Sequence, residues 1–316
     1  MGAAEEAGID PSMQAAIDIG TNSVLLLIGE PMPDGSVRPV EDRARVTRIG
    51  EGLSSSGAIS DAASERTLAT LREYMELCDR HKVSGIAAVG TAALRCASNA
   101  ADFLMMAKRS LGLSIEIIPA EREADLTYIA ASRDFGKDIV VIDIGGGSTE
   151  LITDIKGRRE LVSLPIGSVN LTESHVRADP PSHHEVDELR GSVRQELARC
   201  VSLQFFARPH EAILVATAGT ATTLMAMHLS LDKYRPEAVH GNILKITDLR
   251  DMVELLRERS LAERRSIKGL SPERADVILA GSMLLHDTMS YLGYADVTIS
   301  DRGVKWGLFY ERFCKT

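Results

Sequence analysis

Residues 140–152 read VVIDIGGGSTELI, and this stretch decides the fold. Apolar β-forming residues surround an acid at Asp143, and three glycines, two hydroxyl residues and a second acid at Glu150 come before the next apolar run. This pattern predicts a strand, a tight turn and an antiparallel return strand. Because glycine permits φ > 0 and close approach to the main chain, successive turn N–H groups can face an anion. An acid at the strand end is well placed to hold a divalent metal against phosphate oxygens.

An earlier segment, residues 15–27, reads AAIDIGTNSVLLL and repeats this design. Asp18 stands where Asp143 stands in the later copy, and each acid is followed by one residue and a glycine. The two copies lie about one domain length apart. They therefore predict two similar domains that face each other across a phosphate group.

The composition is typical of a globular chain that does not bind nucleic acid through its overall charge. The 316 residues carry a formal net charge of −9, with 44% apolar and 26% charged residues. The four cysteines are scattered without a C-x-x-C pair, which favours reduced thiols and a cytoplasmic protein. No apolar run approaches the length of a membrane helix, so no membrane association is expected. Residues 1–13 lack a secretory signal and are predicted to form a disordered tail.

The predicted elements follow one order twice, β-β-β-α-β-α-β, with insertions in the second copy. We therefore predict an α/β protein with two mixed five-stranded sheets, each flanked by helices. The predicted domains are residues 14–124 and 125–316, with a cleft between them. A last helix, 303–316, is expected to pack back on the first domain.

Several further motifs remain ambiguous when they are taken from the residues alone. Arg95 is either a surface charge, which its spacing favours, or a phosphate-binding group in the cleft. Glu121 and Glu123 either complement a helix dipole or orient a water that attacks a phosphoryl group, and the residues do not choose between them. Gly219-Thr220 begins a helix and either binds an anion or serves as a packing turn.

Taken together and in order, these motifs resemble the exopolyphosphatase / guanosine pentaphosphate phosphohydrolase (Ppx/GppA) family of the actin-like ATPase superfamily. The resemblance covers residues 14–312 and implies duplicated ribonuclease H-like domains with an interdomain active-site cleft. The motifs that carry it are 18–23, 90–99, 123–124, 143–150, 164–173, 216–223, 269–281 and 300–307.

The resemblance implies a role for each matching position. Glu123 would position the attacking water, Arg95 would be the cleft arginine, and Glu150 would be a second essential acid. Mg²⁺, with Mn²⁺ as an alternative, would be bound by Asp143, Asp18 and Glu150. The implied phosphate-binding residues are Thr21, Asn22, Ser23, Gly145, Gly146, Gly147, Ser148, Thr149, Gly219 and Thr220.

Several positions depart from the family pattern, and Asn170 and Lys305 each stand where an arginine is common. Arg122 replaces the first of two paired glutamates, and Ala218 replaces a glycine. The chain ends at Thr316, without the C-terminal helical region of long family members, so the resemblance implies a short form that prefers shorter polyphosphate.

The resemblance implies an exopolyphosphatase and suggests a homodimer, with other functions as alternatives. The first alternative is hydrolysis of guanosine pentaphosphate (pppGpp) to ppGpp, alone or in addition. A non-catalytic protein that binds polyphosphate or nucleotide is a second alternative, and a sugar kinase ranks lower because Glu123 favours water as the acceptor.

Overall fold

A computed structural model describes residues 12–207 and 211–314 of the chain, without the side chain of Phe205. Of the predicted disordered tail at 1–13, residues 1–11 lie outside this description. None of the helices in the described ranges combines the length and the apolar character that a membrane crossing requires.

The first half of the chain forms a five-stranded mixed sheet with the order β3-β2-β1-β4-β5. Strands β1 and β2 are antiparallel, whereas β1, β4 and β5 run parallel. The elements are β1 (Gln14–Ile19), β2 (Ser23–Pro31), β3 (Val37–Val46), α1 (Leu53–Ser56), α2 (Asp61–Arg80), β4 (Gly85–Gly90), α3 (Ala92–Cys96), α4 (Ala100–Leu111), β5 (Glu116–Ile117) and α5 (Ala120–Phe135).

The second half forms a larger mixed sheet with the order β10-β11-β9-β6-β7-β8. The strands are β6 (Ile139–Ile144), β7 (Thr149–Ile155), β8 (Arg158–Leu164), β9 (Ile213–Thr217), β10 (Ile243–Lys245) and β11 (Asp296–Ile299). The helices are α6 (Ser168–His175), α7 (His183–Cys200), α8 (Leu203–Phe206), α9 (Ala218–His228), α10 (Pro236–Val239), α11 (Ile246–Arg257), α12 (Leu261–Arg264), α13 (Ile278–Leu292) and α14 (Val304–Phe313).

The two sheets share one topology. Strands β3-β2-β1-β4-β5 correspond in order and direction to β8-β7-β6-β9-β11, so the Asp-x-Gly turns after β1 and β6 occupy equivalent places. The prediction of five strands in the second sheet was wrong, because β10 adds a sixth strand antiparallel to β11. Three residues, Ile243–Lys245, are too few to give a strand pattern in the sequence.

Helices α5 and α14 lie between the two sheets. On α5, Leu126 and Ala130 join a buried cluster with β1, β2 and α14, whereas Ala124 and Tyr128 pack against β6 and β7. The predicted domain boundary between residues 124 and 125 falls inside this helix. Helix α14 packs against α5, β1, β2 and β4. Residues on α5 therefore touch both sheets at once.

The crossing of these two helices depends on a glycine. A Cβ atom added at Gly307 of α14 would lie 1.8 Å from the carbonyl oxygen of Leu126 on α5. No side chain fits at that distance, so Gly307 lets the two helix backbones come together.

Candidate functional site

The turn between β1 and β2 has free N–H groups and engaged carbonyls. The N–H of Gly20 donates to the Ser23 carbonyl at 3.0 Å. The carbonyls of Thr21 and Asn22 accept bonds from residues 47–50, all at 3.0 Å. Among the described residues, the N–H groups of Thr21 and Asn22 have no protein acceptor. The turn therefore presents donors without competing acceptors.

The turn between β6 and β7 repeats this arrangement. The N–H of Gly145 donates to the Ser148 carbonyl at 3.0 Å. Residues 168–170, at the start of α6, donate to the carbonyls of Gly145 and Gly146, and the Asn170 side chain donates to the carbonyl of Gly147 at 2.9 Å. Within the described ranges, no protein acceptor meets the N–H groups of Gly146 and Gly147. Such successive free N–H groups form an anion-binding concavity.

The two turns lie against each other. A Cβ atom at Gly146 would lie 3.1 Å from Thr21 Cβ, and one at Gly147 would lie 3.0 Å from Thr21 Oγ1. The Thr21 side chain therefore packs on the glycines of the second turn, and any larger residue there would separate the turns. The sequence prediction that the two motifs face each other is realised in this contact.

Four carboxylates gather beside the paired turns. Asp143 and Glu150 are direct partners across β6 and β7, and the charges of Asp143 and Glu123 both act on Asp18. All four residues are at most 8% exposed. Within the described part of the chain, Asp18 Oδ1 and Glu150 Oε2 have no hydrogen-bond partner. Like charges directly opposite in a sheet destabilise it, so this cluster is costly unless a cation or protons compensate the charges.

Burial shifts the titration of all four acids upward. It raises the pKa of Asp143 to about 6, against a lowering contribution from a hydrogen bond with Thr127. It raises the pKa of Glu123 to about 7, although Arg95 acts in the opposite direction. Burial, followed by the charges of Glu123 and Asp143, raises the pKa of both Asp18 and Glu150 well above ordinary values. The cluster thus favours an added positive charge.

Arg95 is held at the site by Glu123. Its Nη1 donates to Glu123 Oε2 at 2.6 Å and to the Ile118 carbonyl at 3.0 Å. The ion pair is largely buried, with 20% and 11% of the two side chains exposed. The interpretation of Arg95 as a surface charge is wrong, and its observed partner is the Glu123 carboxylate of α5.

Glu121 and Glu123 lie in different surroundings, so the structure distinguishes two acids that the sequence left equivalent. Glu123 is buried beside Arg95, whereas Glu121 is exposed at the start of α5. Arg122, between them, forms an ion pair with Glu311 of α14. Arg122, which departs from the family pattern, therefore connects α5 to α14 and does not enter the carboxylate cluster.

Two cations near the turns escaped the sequence prediction. Arg274, in the 3₁₀ turn before α13, donates to Ser23 Oγ at 3.0 Å and lies against Gly219. Lys305 of α14 is 6% exposed, pairs with Asp42, and its charge acts on Asp18. Both lie in motifs that carry the family resemblance, 269–281 and 300–307, but the sequence predicted no role at the site for either residue.

Gly219 and Thr220, the predicted phosphate-binding residues at the start of α9, have different neighbours. Gly219 faces the guanidinium of Arg274, whereas the side chain of Thr220 packs against Gly281 of α13. Ala218, which replaces the usual glycine, has φ of 68°. This left-handed conformation is one that glycine adopts without strain and alanine does not.

The four buried carboxylates suit a metal ion that takes its remaining ligands from the substrate. No group of three or more His, Cys, Asp or Glu side chains within residues 12–207 and 211–314 could hold a metal ion by itself. Mg²⁺ usually binds through one or two carboxylates together with substrate phosphates. The unpartnered buried oxygens of Asp18 and Glu150 match that second kind of site.

Two paired mixed sheets, facing hairpin turns with free N–H groups and a buried acid cluster define a phosphate-handling protein of the actin-like ATPase fold. The sequence profile of the Ppx/GppA phosphatase family matches residues 32–315. The chain belongs to this family and is a phosphohydrolase that acts on anhydride bonds.

Known proteins resemble the chain over nearly its whole length. It is 33% identical to "Exopolyphosphatase 2" of Mycobacterium tuberculosis, over 93% of this chain and 96% of that protein. The crystal structure of the Aquifex aeolicus Ppx/GppA family member has a TM-score of 0.78 at 32% identity, covering 95% of this chain and 97% of that one. An exopolyphosphatase from Cytophaga hutchinsonii gives a TM-score of 0.86 at 25% identity, covering 96% and 98%.

Proposed function

We propose that this protein hydrolyses the terminal phosphate of inorganic polyphosphate. The observation that carries the proposal is the pair of contacting turns, which present N–H groups without protein acceptors in the described residues, beside four buried carboxylates. The similarity to exopolyphosphatases supports polyphosphate as the substrate.

Each part of the site has a role in this reaction. The N–H groups of Thr21, Asn22, Gly146 and Gly147 bind the oxygens of the terminal phosphoryl group, which is negatively charged. Glu123 orients the attacking water and accepts its proton, because its carboxylate ionises near neutral pH. The two turns around these donors are completed by Ser23, Gly145, Ser148 and Thr149.

Charge on the transferred group has to be neutralised as the bond breaks. Asp143 and Glu150, with Asp18 beside them, hold a divalent cation, Mg²⁺ or Mn²⁺, that supplies positive charge to the phosphoryl oxygens. Arg95 keeps Glu123 in its ionised form and in a fixed orientation through their ion pair.

A cavity next to the first turn favours pppGpp as a second candidate substrate. It has a volume of about 220 Å³ and is lined by Thr21, Asn22, Arg48, Glu51, Val169, Thr172, Glu173, Asp276 and Val277. Three carboxylates in this lining disfavour further phosphates, whereas carboxylates accept hydrogen bonds from sugar hydroxyls and base N–H groups.

The test is phosphate release, measured with Mg²⁺ on polyphosphates of defined length and on pppGpp. We expect turnover on polyphosphate. Turnover on pppGpp alone would replace the first proposal with the second. Tight polyphosphate binding without phosphate release, under Mg²⁺ or Mn²⁺, would support the non-catalytic alternative.

A further inference from the structure

Thr127 makes an unusual hydrogen bond at the site. It lies on α5, four residues after Glu123, and its side chain is completely buried. Its hydroxyl donates to Asp143 Oδ2 at 2.9 Å. A buried hydroxyl on a helix is thus connected to a carboxylate on a neighbouring strand.

Four other helical threonines of this protein bond locally. In helices, a threonine hydroxyl commonly donates to the carbonyl four residues earlier. Four threonines do so here, at 2.7–3.1 Å: Thr67, Thr172, Thr222 and Thr288. The hydroxyl of Thr127 bonds to Asp143 instead, so a local interaction does not explain it.

The bond connects two parts of the site through one helix. Residues four apart share a helix face, so Glu123 and Thr127 point the same way from α5. Glu123 is held by Arg95, and Asp143 is held by Thr127. Glu150 is held similarly, because Ser163 donates to its Oε1 at 2.8 Å while Oε2 stays unpartnered. One oxygen of each of these acids is thus occupied by a protein donor.

We propose that Thr127 is a positioning residue, whose hydroxyl fixes the orientation in which Asp143 binds a divalent cation. The bond also sets the place of that carboxylate relative to Glu123, since both depend on the same face of α5. The inference rests on the proposed function, in which Asp143 is a metal ligand. Hydrogen bonds of this kind to metal-binding carboxylates commonly strengthen metal binding about 10–100-fold.

The test measures Mn²⁺ binding in the presence of inorganic phosphate, which supplies the ligands that substrate would provide, by electron paramagnetic resonance of free Mn²⁺ against a protein-free blank, in three variants. Thr127→Val removes the hydroxyl and keeps the shape, Thr127→Ser keeps the hydroxyl, and Thr127→Ala provides a second removal if the valine variant does not fold. Thr67→Val is the matched control, because Thr67 is equally buried and donates to a backbone carbonyl far from the site.

We expect Thr127→Val and Thr127→Ala to raise the Kd for Mn²⁺ by about tenfold or more. Thr127→Ser and Thr67→Val should bind Mn²⁺ like the wild type. Folded Thr127→Val with wild-type Mn²⁺ affinity would overturn the inference, and so would a serine variant as weak as the valine variant. A wild-type protein that binds no Mn²⁺ at all would instead contradict the metal role of Asp143 in the proposed function.

Discussion

Arg95 Nη1 lies 2.6 Å from Glu123 Oε2, and this ion pair joins the end of α3 to the first turn of α5. Burial raises the pKa of Glu123 from 4.5 to about 7 in spite of Arg95, which lowers it. The carboxylate that we propose as the base is therefore poised to change charge near neutral pH.

This pair predicts a pH dependence of activity. Glu123 must be ionised to accept a proton, so kcat/KM should rise as pH increases toward about 7 and then level off. Arg95→Met removes the charge that lowers the pKa of Glu123, so the rising limb should move to higher pH. Arg95→Lys keeps a charge and should move it less. The measurement is a pH–rate profile at one saturating Mg²⁺ concentration, and a limb that is identical in all three proteins would contradict the assignment.

Ala218 should be a point of backbone strain. Its φ of 68° costs alanine free energy that glycine does not lose. Ala218→Gly should therefore raise the free energy of unfolding by about 0.5–1 kcal/mol. Ala221→Gly, in the buried interior of the same helix, should lower it by about 1 kcal/mol. Urea unfolding distinguishes the two, and a destabilised Ala218→Gly protein would show that this residue is not strained.

The close crossing of α5 and α14 predicts that Gly307 tolerates no side chain. Gly307→Ala places a methyl group 1.8 Å from the Leu126 carbonyl and should lower the free energy of unfolding by about 3 kcal/mol or more. Gly191→Ala is the matched control, because its Cβ would meet nothing within 4 Å in helix α7. That change should raise the free energy of unfolding by up to about 1 kcal/mol. Equal effects in urea unfolding would contradict the observed helix packing.

Arg48 and Asp276 connect the two halves across the cavity. Arg48 Nη1 lies 2.7 Å from Asp276 Oδ2, and Arg48 Nη2 donates to the Glu273 carbonyl at 2.8 Å. About a third of each side chain is exposed, so the ion pair should contribute no more than about 1 kcal/mol. We expect Arg48→Met to lower the free energy of unfolding, measured in urea, by no more than about 1 kcal/mol. A coupling energy well above about 1 kcal/mol in a double-mutant cycle with Asp276→Asn would contradict this expectation.

The sequence predicted the features that depend on local pattern. The sequence contains two copies of a short pattern, each a strand, an acid, a glycine turn and a return strand. Asp18, Asp143 and the facing turns could therefore be predicted from the sequence. The sequence did not predict contacts between distant segments of the chain. The hydrogen bond from Thr127, the place of Arg274 and the partner of Arg95 arise only when α5, α14 and both sheets pack together. The strand β10 was missed because three residues give no period.

The proposed hydrolysis depends most directly on Glu123, the residue that delivers the attacking water. The decisive measurement is the rate of phosphate release from short polyphosphate at saturating Mg²⁺ by the wild type and by Glu123→Gln. Glutamine preserves the size of the side chain and removes the base, so kcat should fall by about 100-fold or more while the fold and polyphosphate binding persist. A Glu123→Gln protein that releases phosphate at close to the wild-type rate would contradict the proposed mechanism.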